Sequence, residues 1–383
     1  MVVTRTVYVA AGGGGDAIAA YALHVARSPA VRPVIATFAW DRLMIDPIPG
    51  PRTLDDFEGL TVVDGLNSAF APATHPRPPA GSTLPRLSGE LEATFVLLDP
   101  SRGAIGLRNQ LRSLVRTMDA DRIEIVDVGG DALAAGHEPG LSSPLADALA
   151  LAGCSDQRVP VEVRVIGAGL DGELPASTVL DYVRLLGGTQ ARRLSADEAT
   201  TIMPVLDWHP SEATALTAAA ALGLRGTVEI REHGHVVDLA DTSPDVFAVD
   251  HARLLAHSAT ATALIHTRTL DKAEQAVRSI CGRSELDHER SKAERRRSST
   301  TPAPQLDDLV ATVYRYSADA QRRGIDYLTF RRLAEVAGLT AKDATRLRQR
   351  LIAEQPERYV PPLWSIRPGH LAEGAPACQA RRR

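Results

Sequence analysis

The sequence predicts an α/β protein: a mostly parallel sheet with flanking helices, plus a small C-terminal helix-turn-helix or winged-helix-like unit. Three observations carry this. Short, almost wholly apolar runs alternate with helical patterns through the first half of the chain. Glycine-rich turns directly follow three of these runs. A charged, Ser/Thr/Pro-rich stretch then separates this body from a second periodic region. Apolar runs of this kind suit strands buried on both faces of a parallel sheet.

Strands are expected at residues 6–11, 34–38, 93–98, 123–128 and 161–166, and helices at 17–27, 108–118, 144–152 and 175–186. Residues 70–88, rich in Pro, Ala and Thr, read as a loop over the sheet edge. One helix is expected over 206–224, then a hairpin from 226–230 and 236–239 around Glu232-His233-Gly234-His235. Helical patterns return at 251–255 and 270–281, closing a body of residues 1–281. The composition of 282–305 cannot build a core and reads as a flexible linker. In the unit 306–370, helices are expected at 330–336 and 341–353 around the turn Ala337-Gly338-Leu339-Thr340, with a short wing at 359–366. Residues 371–383 read as a disordered tail.

At 383 residues, 44% hydrophobic and 23% charged, the composition is that of a soluble globular protein. No apolar run reaches the ~18 residues of a membrane span. The N-terminus lacks a secretory pattern, so a cytoplasmic location is expected. Cys154, Cys281 and Cys378 are too dispersed for a disulfide framework or a Cys-x-x-Cys metal site. Lys272 is the only lysine before the linker, which excludes a P-loop and leaves one candidate for a Schiff base. Neither pyridoxal phosphate nor haem is expected. Residues 1–281 carry 23 basic and 34 acidic side chains, the remainder 20 and 13. An acidic body joined to a basic tail section suggests different partners for the two.

The three glycine turns each carry acids: Gly12-Gly13-Gly14-Gly15-Asp16, Asp127-Val128-Gly129-Gly130-Asp131, and Gly167-Ala168-Gly169-Leu170-Asp171-Gly172-Glu173. In an open α/β sheet the loops at strand C-termini converge where ligands bind. Glycines there let an anion approach backbone N–H groups at a helix start. The acids could position a divalent metal such as Mg, an amine, a guanidinium or ribose hydroxyls, or simply cap helices. His137-Glu138, in the rigid loop Gly136–Asp147, is a candidate proton-transfer pair. Trp40-Asp41 follows the second strand, where the indole would stack on a ligand or close the pocket. Asp207-Trp208-His209-Pro210-Ser211-Glu212 is a further aromatic-His-acid cluster, and His233-x-His235 a possible metal half-site. In the C-terminal unit, Arg331, Arg332, Lys342, Arg346, Arg348 and Arg350 lie on or beside two helices. Its 11 basic and 8 acidic side chains over 306–370 make a weak basic face, so a protein-docking or dimerising role is expected before nucleic-acid contact.

Taken in order, the three turns, the segment His137–Asp147, Trp40-Asp41-Arg42 and Arg225-Gly226-Thr227-Val228-Glu229 resemble one family, the domain of unknown function numbered eleven-fifty-two. The resemblance spans about residues 5–270 and implies a Rossmann-like α/β body; it implies no reaction.

The functional expectation is an enzyme binding a small polar, phosphate- or nucleotide-bearing metabolite, with metal assistance an option. Asp16, Asp131 and Asp171 would position metal or substrate, and the N–H groups of Gly13, Gly14 and Gly15 would hold the anion. Asp127, Gly129, Gly130, Gly167, Gly169 and Glu173 complete the turns, and His137 or Glu138 would move the proton. Transferase or hydrolase chemistry fits better than hydride transfer, because the Gly-x-Gly-x-x-Gly pattern fails at Asp16 and Ala17. The alternative is a metabolite-sensing regulator whose C-terminal unit contacts DNA or a protein.

Overall fold

The computed structural model describes residues 4–28, 30–231, 234–298, 305–339 and 341–367. Five parallel strands form its centre: β1 (Thr6–Ala10), β2 (Val34–Thr37), β3 (Thr94–Leu97), β4 (Arg122–Val128) and β5 (Val161–Ile166), in the order β3-β2-β1-β4-β5. Among the described residues, antiparallel Asp245–Asp250 and Thr189–Arg193 extend the β5 side, and the Thr61–Val62/Ser68–Ala69 hairpin the β3 side, giving nine strands. The order reverses at β1, whose chain crosses to β2 on one side while β4 lies on the other. That reversal is the switch point at which open α/β sheets bind ligands beyond their strand C-termini.

Alternation along the strands divides the core in two. Val7 and Val9 of β1 point with Ile123 and Ile125 toward helices Gly103–Thr117, Pro144–Gly153 and Leu270–Cys281. Tyr8 and Ala10 point the other way, toward helices Gly14–Val25 and Ala196–Leu206. Both faces are therefore buried, as near-continuous apolar strands require. No helix among the described residues is long and apolar enough to cross a membrane.

The structure departs from the sequence reading in four places. The helix expected over 206–224 spans only Glu212–Ala221, and a separate helix, Ala196–Leu206, ends where it was expected to begin. Pro210 separates the two: proline offers no N–H and disfavours helical backbone in the residue before it. Residues 70–88 hold the strand His75–Pro76 and the start of helix Leu84–Glu90. The stretch read as a flexible linker contains the helix Glu285–Ser298, with Leu286 and Glu289 buried. Its charges are matched across space: Asp287 accepts from Arg278 at 2.8 Å, and Arg290 donates to Glu274 at 2.6 Å. Finally, the C-terminal region is joined to the body by a shared sheet. Tyr327–Leu328 pairs with Val228 and Glu229 of the Gly226–Glu229 strand, continuing the 226–239 hairpin. The tail 371–383 lies outside the described residues.

Candidate functional site

The turn after β1 places Gly12 beyond the strand end and starts the helix Gly14–Val25 with no side-chain cap. Its first N–H groups thus open onto the switch point, where the helix dipole favours negative charge. Asp16 ties two turns together: one carboxylate oxygen accepts from Gly12 N at 2.5 Å, the other from Val128 N at 3.1 Å. Its role is to hold the turns after β1 and β4 in register.

Opposite the glycine turn stands an acidic wall. Asp131, Asp171 and Glu173 each bring a carboxylate oxygen within 4.8 Å of one another. Asp127, near the end of β4, and Asp147, in the first turn of helix Pro144–Gly153, are buried beside them. The wall is fixed from its rim: Glu173 accepts from Ser142 N at 2.7 Å, from Ser143 N at 3.0 Å and from the Ser143 hydroxyl. Gly129 lets the turns close, since at φ +129° a Cβ there would lie 2.5 Å from the Asp171 carboxyl carbon. Behind it, Gly169 N donates to Gly129 O at 2.7 Å, tying the second and third turns. Gly130 and Gly167 likewise shape these turns and lie outside the pocket lining, as does Gly169.

Between glycine turn and acidic wall is a cavity of about 100 Å³. Among the described residues, eight carboxylates (Asp16, Asp41, Asp127, Asp131, Asp147, Asp171, Glu173 and Glu285) line it, against two guanidiniums, Arg42 and Arg231. Glu285 comes from the helix at 285–298, whose Glu289 accepts from Trp40 Nε1 at 3.1 Å and Gly50 N at 2.7 Å. Trp40 therefore closes the pocket wall, held by that helix. Asp41 accepts from Thr83 N at 3.0 Å and Thr83 Oγ1 at 2.8 Å.

Crowding of buried acids raises their proton affinity. Burial and the charge of Glu173 push Asp131 up to about 6. Burial, partly offset by the Gly12 bond, takes Asp16 to about 7. Asp127, Asp147 and Asp171 are raised well above the carboxylate range by burial and then by the charge of Asp131. Asp131 is thus the common neighbour through which the cluster repels itself. Because the folded values of Asp131 and Asp16 exceed the ordinary 3.8, their contribution to stability is full below that value and is lost as pH rises through about 6 to about 7. The melting temperature of cation-free protein is expected to fall between about pH 4 and about pH 7; a flat profile would mean that these carboxylates are well solvated.

His209 completes the site from the break that Pro210 creates. Its Nδ1 accepts from Ser211 N at 3.2 Å, and burial pushes its pKa down to about 3. The neutral ring therefore carries its proton on Nε2, which finds no acceptor among the described residues. That Nε2 points at the glycine turn, 3.0 Å from where a Cβ on Gly14 would sit.

Of the residues singled out in the sequence, the structure brings together Gly13, Gly14, Gly15, Asp16, Trp40, Asp41, Asp127, Asp131, Asp171 and Glu173. It does not bring His137 or Glu138. His137 is exposed, and Glu138 folds its own loop, accepting from Ala135 N at 2.6 Å, from Gly136 N and His137 N at 2.9 Å, and from Tyr182. His233 of the expected histidine pair lies outside the described residues, while His235 borders the adjoining cleft. Lys272 is exposed on helix Leu270–Cys281, away from the pocket. Sequence reasoning did not assign Asp147, Arg231 or Glu285 to the site. Asp147 had one signal, an acid in the first turn of a helix that begins beside a candidate loop; Glu285 had none.

No curated protein and no solved structure matches this chain. A family model described as "Protein of unknown function (DUF1152)" matches residues 7–293, a span that includes every turn of the pocket and the closing Glu285 and Glu289, and the chain belongs to that family.

Proposed function

We propose that this pocket binds the phosphate of a small polar, phosphate- or nucleotide-bearing metabolite and catalyses group transfer or hydrolysis on it. The observation that carries the reading is the buried Nε2–H of His209, without an acceptor, beside a helix start that no side chain caps. Together they offer convergent donors to one oxyanion, and the acidic wall faces them across the cavity. At about 100 Å³ the cavity is well under the ~300–1,000 Å³ of ordinary small-molecule pockets, so it suits the reacting head of a ligand. The remainder of the ligand would occupy the adjoining cleft of about 60 Å³ beside Arg42, Arg231 and His288.

A thermal-shift screen of the full chain with phosphate compounds, nucleotides and amino acids tests this. Stabilisation by at least one phosphate compound is expected. Gly14→Ala should weaken it by about tenfold or more while preserving the fold, because alanine suits a helix start but its methyl would crowd the anion seat. If no phosphate compound stabilises the protein, the reading fails.

A second reading, a metabolite-sensing regulator, draws on the element order of the C-terminal region. Helix Leu306–Arg322, strand Tyr327–Leu328, helices Phe330–Val336 and Ala341–Glu354, and strands Tyr359–Val360 and Leu363–Ser365 follow a winged-helix order. Against DNA reading, Arg348 is committed to Asp207 at 2.6 Å and Arg350 to Glu354 at 2.6 Å. Salt-sensitive DNA binding by the full chain would favour the regulator.

A further inference from the structure

We propose that Asp131, Asp171 and Glu173, backed by Asp127, form a binding site for one hard divalent cation such as Mg2+ or Mn2+. As a statement about catalysis this rests on the phosphate reading of the same pocket; as a statement about binding it stands on the residues themselves.

Three acids close together would not by themselves make a site. The second observation is Asp127. This side chain is 1% exposed, and its Oδ2 accepts no hydrogen bond among the described residues. Asp171, 8% exposed, has the same unsatisfied Oδ2, although its Oδ1 accepts from Glu173 N at 3.2 Å. A buried carboxylate oxygen without a donor is costly, and the usual remedy is a hydrogen bond, a paired cation or a metal ion.

Among the described residues no donor reaches either oxygen, so without an ion these groups relieve the cost by holding protons. Of the two guanidiniums lining the cavity, Arg42 and Arg231, Arg231 stands 3.9 Å from Glu173 and 4.0 Å from Glu212 and donates to the Asp171 carbonyl at 3.4 Å. The other groups facing the wall, Asp16 and Asp147, add negative charge. Gly129 also belongs to the argument, because its missing Cβ is what allows the Asp171 carboxylate to turn inward against Asp131.

The donor set selects the ion. The three ligands, and Asp127 behind them, are carboxylates, with no thiolate or imidazole among them, which suits hard oxygen-seeking cations over zinc or copper. Glu173 is held by the loop at Ser142 and Ser143, and Asp171 by its turn, so both oxygens are positioned before an ion arrives. His209 stays on the opposite side, beside Gly14, free to donate to an oxyanion that the cation would bridge.

The test titrates metal-free, full-length protein with MnCl2, with no phosphate compound present, and follows bound Mn2+ by electron paramagnetic resonance. One saturable site of about micromolar to tens-of-micromolar affinity is expected. Asp171→Asn and Asp127→Asn should each weaken it by about tenfold or more, while exposed Asp55→Asn leaves it unchanged. Absence of saturable Mn2+ binding up to about 10 mM would overturn the proposal, as would wild-type affinity in both site variants. Should Asp171→Asn fail to fold by circular dichroism, Asp127→Asn and the wild-type titration decide. The two readings also fail separately. Mn2+ binding without any phosphate-induced stabilisation removes the phosphate reading alone, and the converse removes the cation site alone.

Discussion

Replacing Asp131 with asparagine is expected to raise the melting temperature of cation-free protein at about pH 8, and to erase its stabilisation by Mn2+. The two effects share one cause. Asp131 is the charge that burdens Asp16, Asp127, Asp147 and Asp171 at once. Asparagine keeps its shape and removes that charge, so neighbouring carboxyls ionise at less cost. Each pKa unit of relief corresponds to ~1.4 kcal/mol of stability. The gain should shrink toward about pH 5, where the wild-type cluster already carries its protons. Differential scanning calorimetry at the two pH values, with and without Mn2+, reads all of this. A lower melting temperature for the variant at pH 8 would instead identify Asp131 as a hydrogen-bonding strut. Gain of stability with loss of ligand response is the signature of a site assembled at the expense of the fold.

Glu229→Ala should destabilise the protein by about 3 kcal/mol and release its C-terminal region. The Glu229 carboxylate is fully buried and accepts from Arg323 at 2.6 Å, Arg332 at 2.8 Å and Tyr316. Burial alone would raise its pKa, yet the bonds from Tyr316, Arg332 and Arg323 hold it below the usual range. Removing it takes the buried partner from two arginines, leaving Arg323, among the described residues, only Asp319 at 3.0 Å and Arg332, 13% exposed, only Glu335 at 3.1 Å and the Tyr316 hydroxyl. Breaking a buried pair from one side costs ~3–5 kcal/mol, and the partial exposure of Arg323 places this case at the low end. Urea unfolding measures the loss, and limited proteolysis should show cleavage around residues 299–330. A loss under about 1 kcal/mol would mean that the paired strands at Val228 and Tyr327 hold the region by themselves.

The central strands were legible because β1, β2 and β3 are apolar almost throughout, and β4 and β5, though carrying Arg122, Glu124, Asp127, Glu162 and Arg164, are otherwise Val and Ile and end in glycine turns. The glycine turns were legible for the same reason: a strand that ends in glycine and an acid announces a strand C-terminus. The rest of the site depends on partners distant in sequence. His209 matters because Pro210 breaks an alanine-rich run and swings the ring onto Gly14, more than 190 residues earlier in the chain. The helix Glu285–Ser298 reads as linker on composition, since its polarity looks unsatisfiable until Trp40, Gly50, Glu274 and Arg278 are placed beside it. Tyr327–Leu328 is a two-residue strand, too short to leave a periodic signal, yet it joins the two regions into one sheet.

The bond between Glu289 and Trp40 also bears on how the protein is made. A chain synthesised from its N-terminus completes the switch-point strands once β5 has emerged, more than a hundred residues before the helix at 285–298. Until that helix leaves the ribosome, the wall at Trp40 lacks its anchor and the pocket lacks Glu285. The pocket is therefore completed only once residue 289 has emerged, and a nascent body that stalls before residue 285 presents an open, incomplete acidic cleft to the cell.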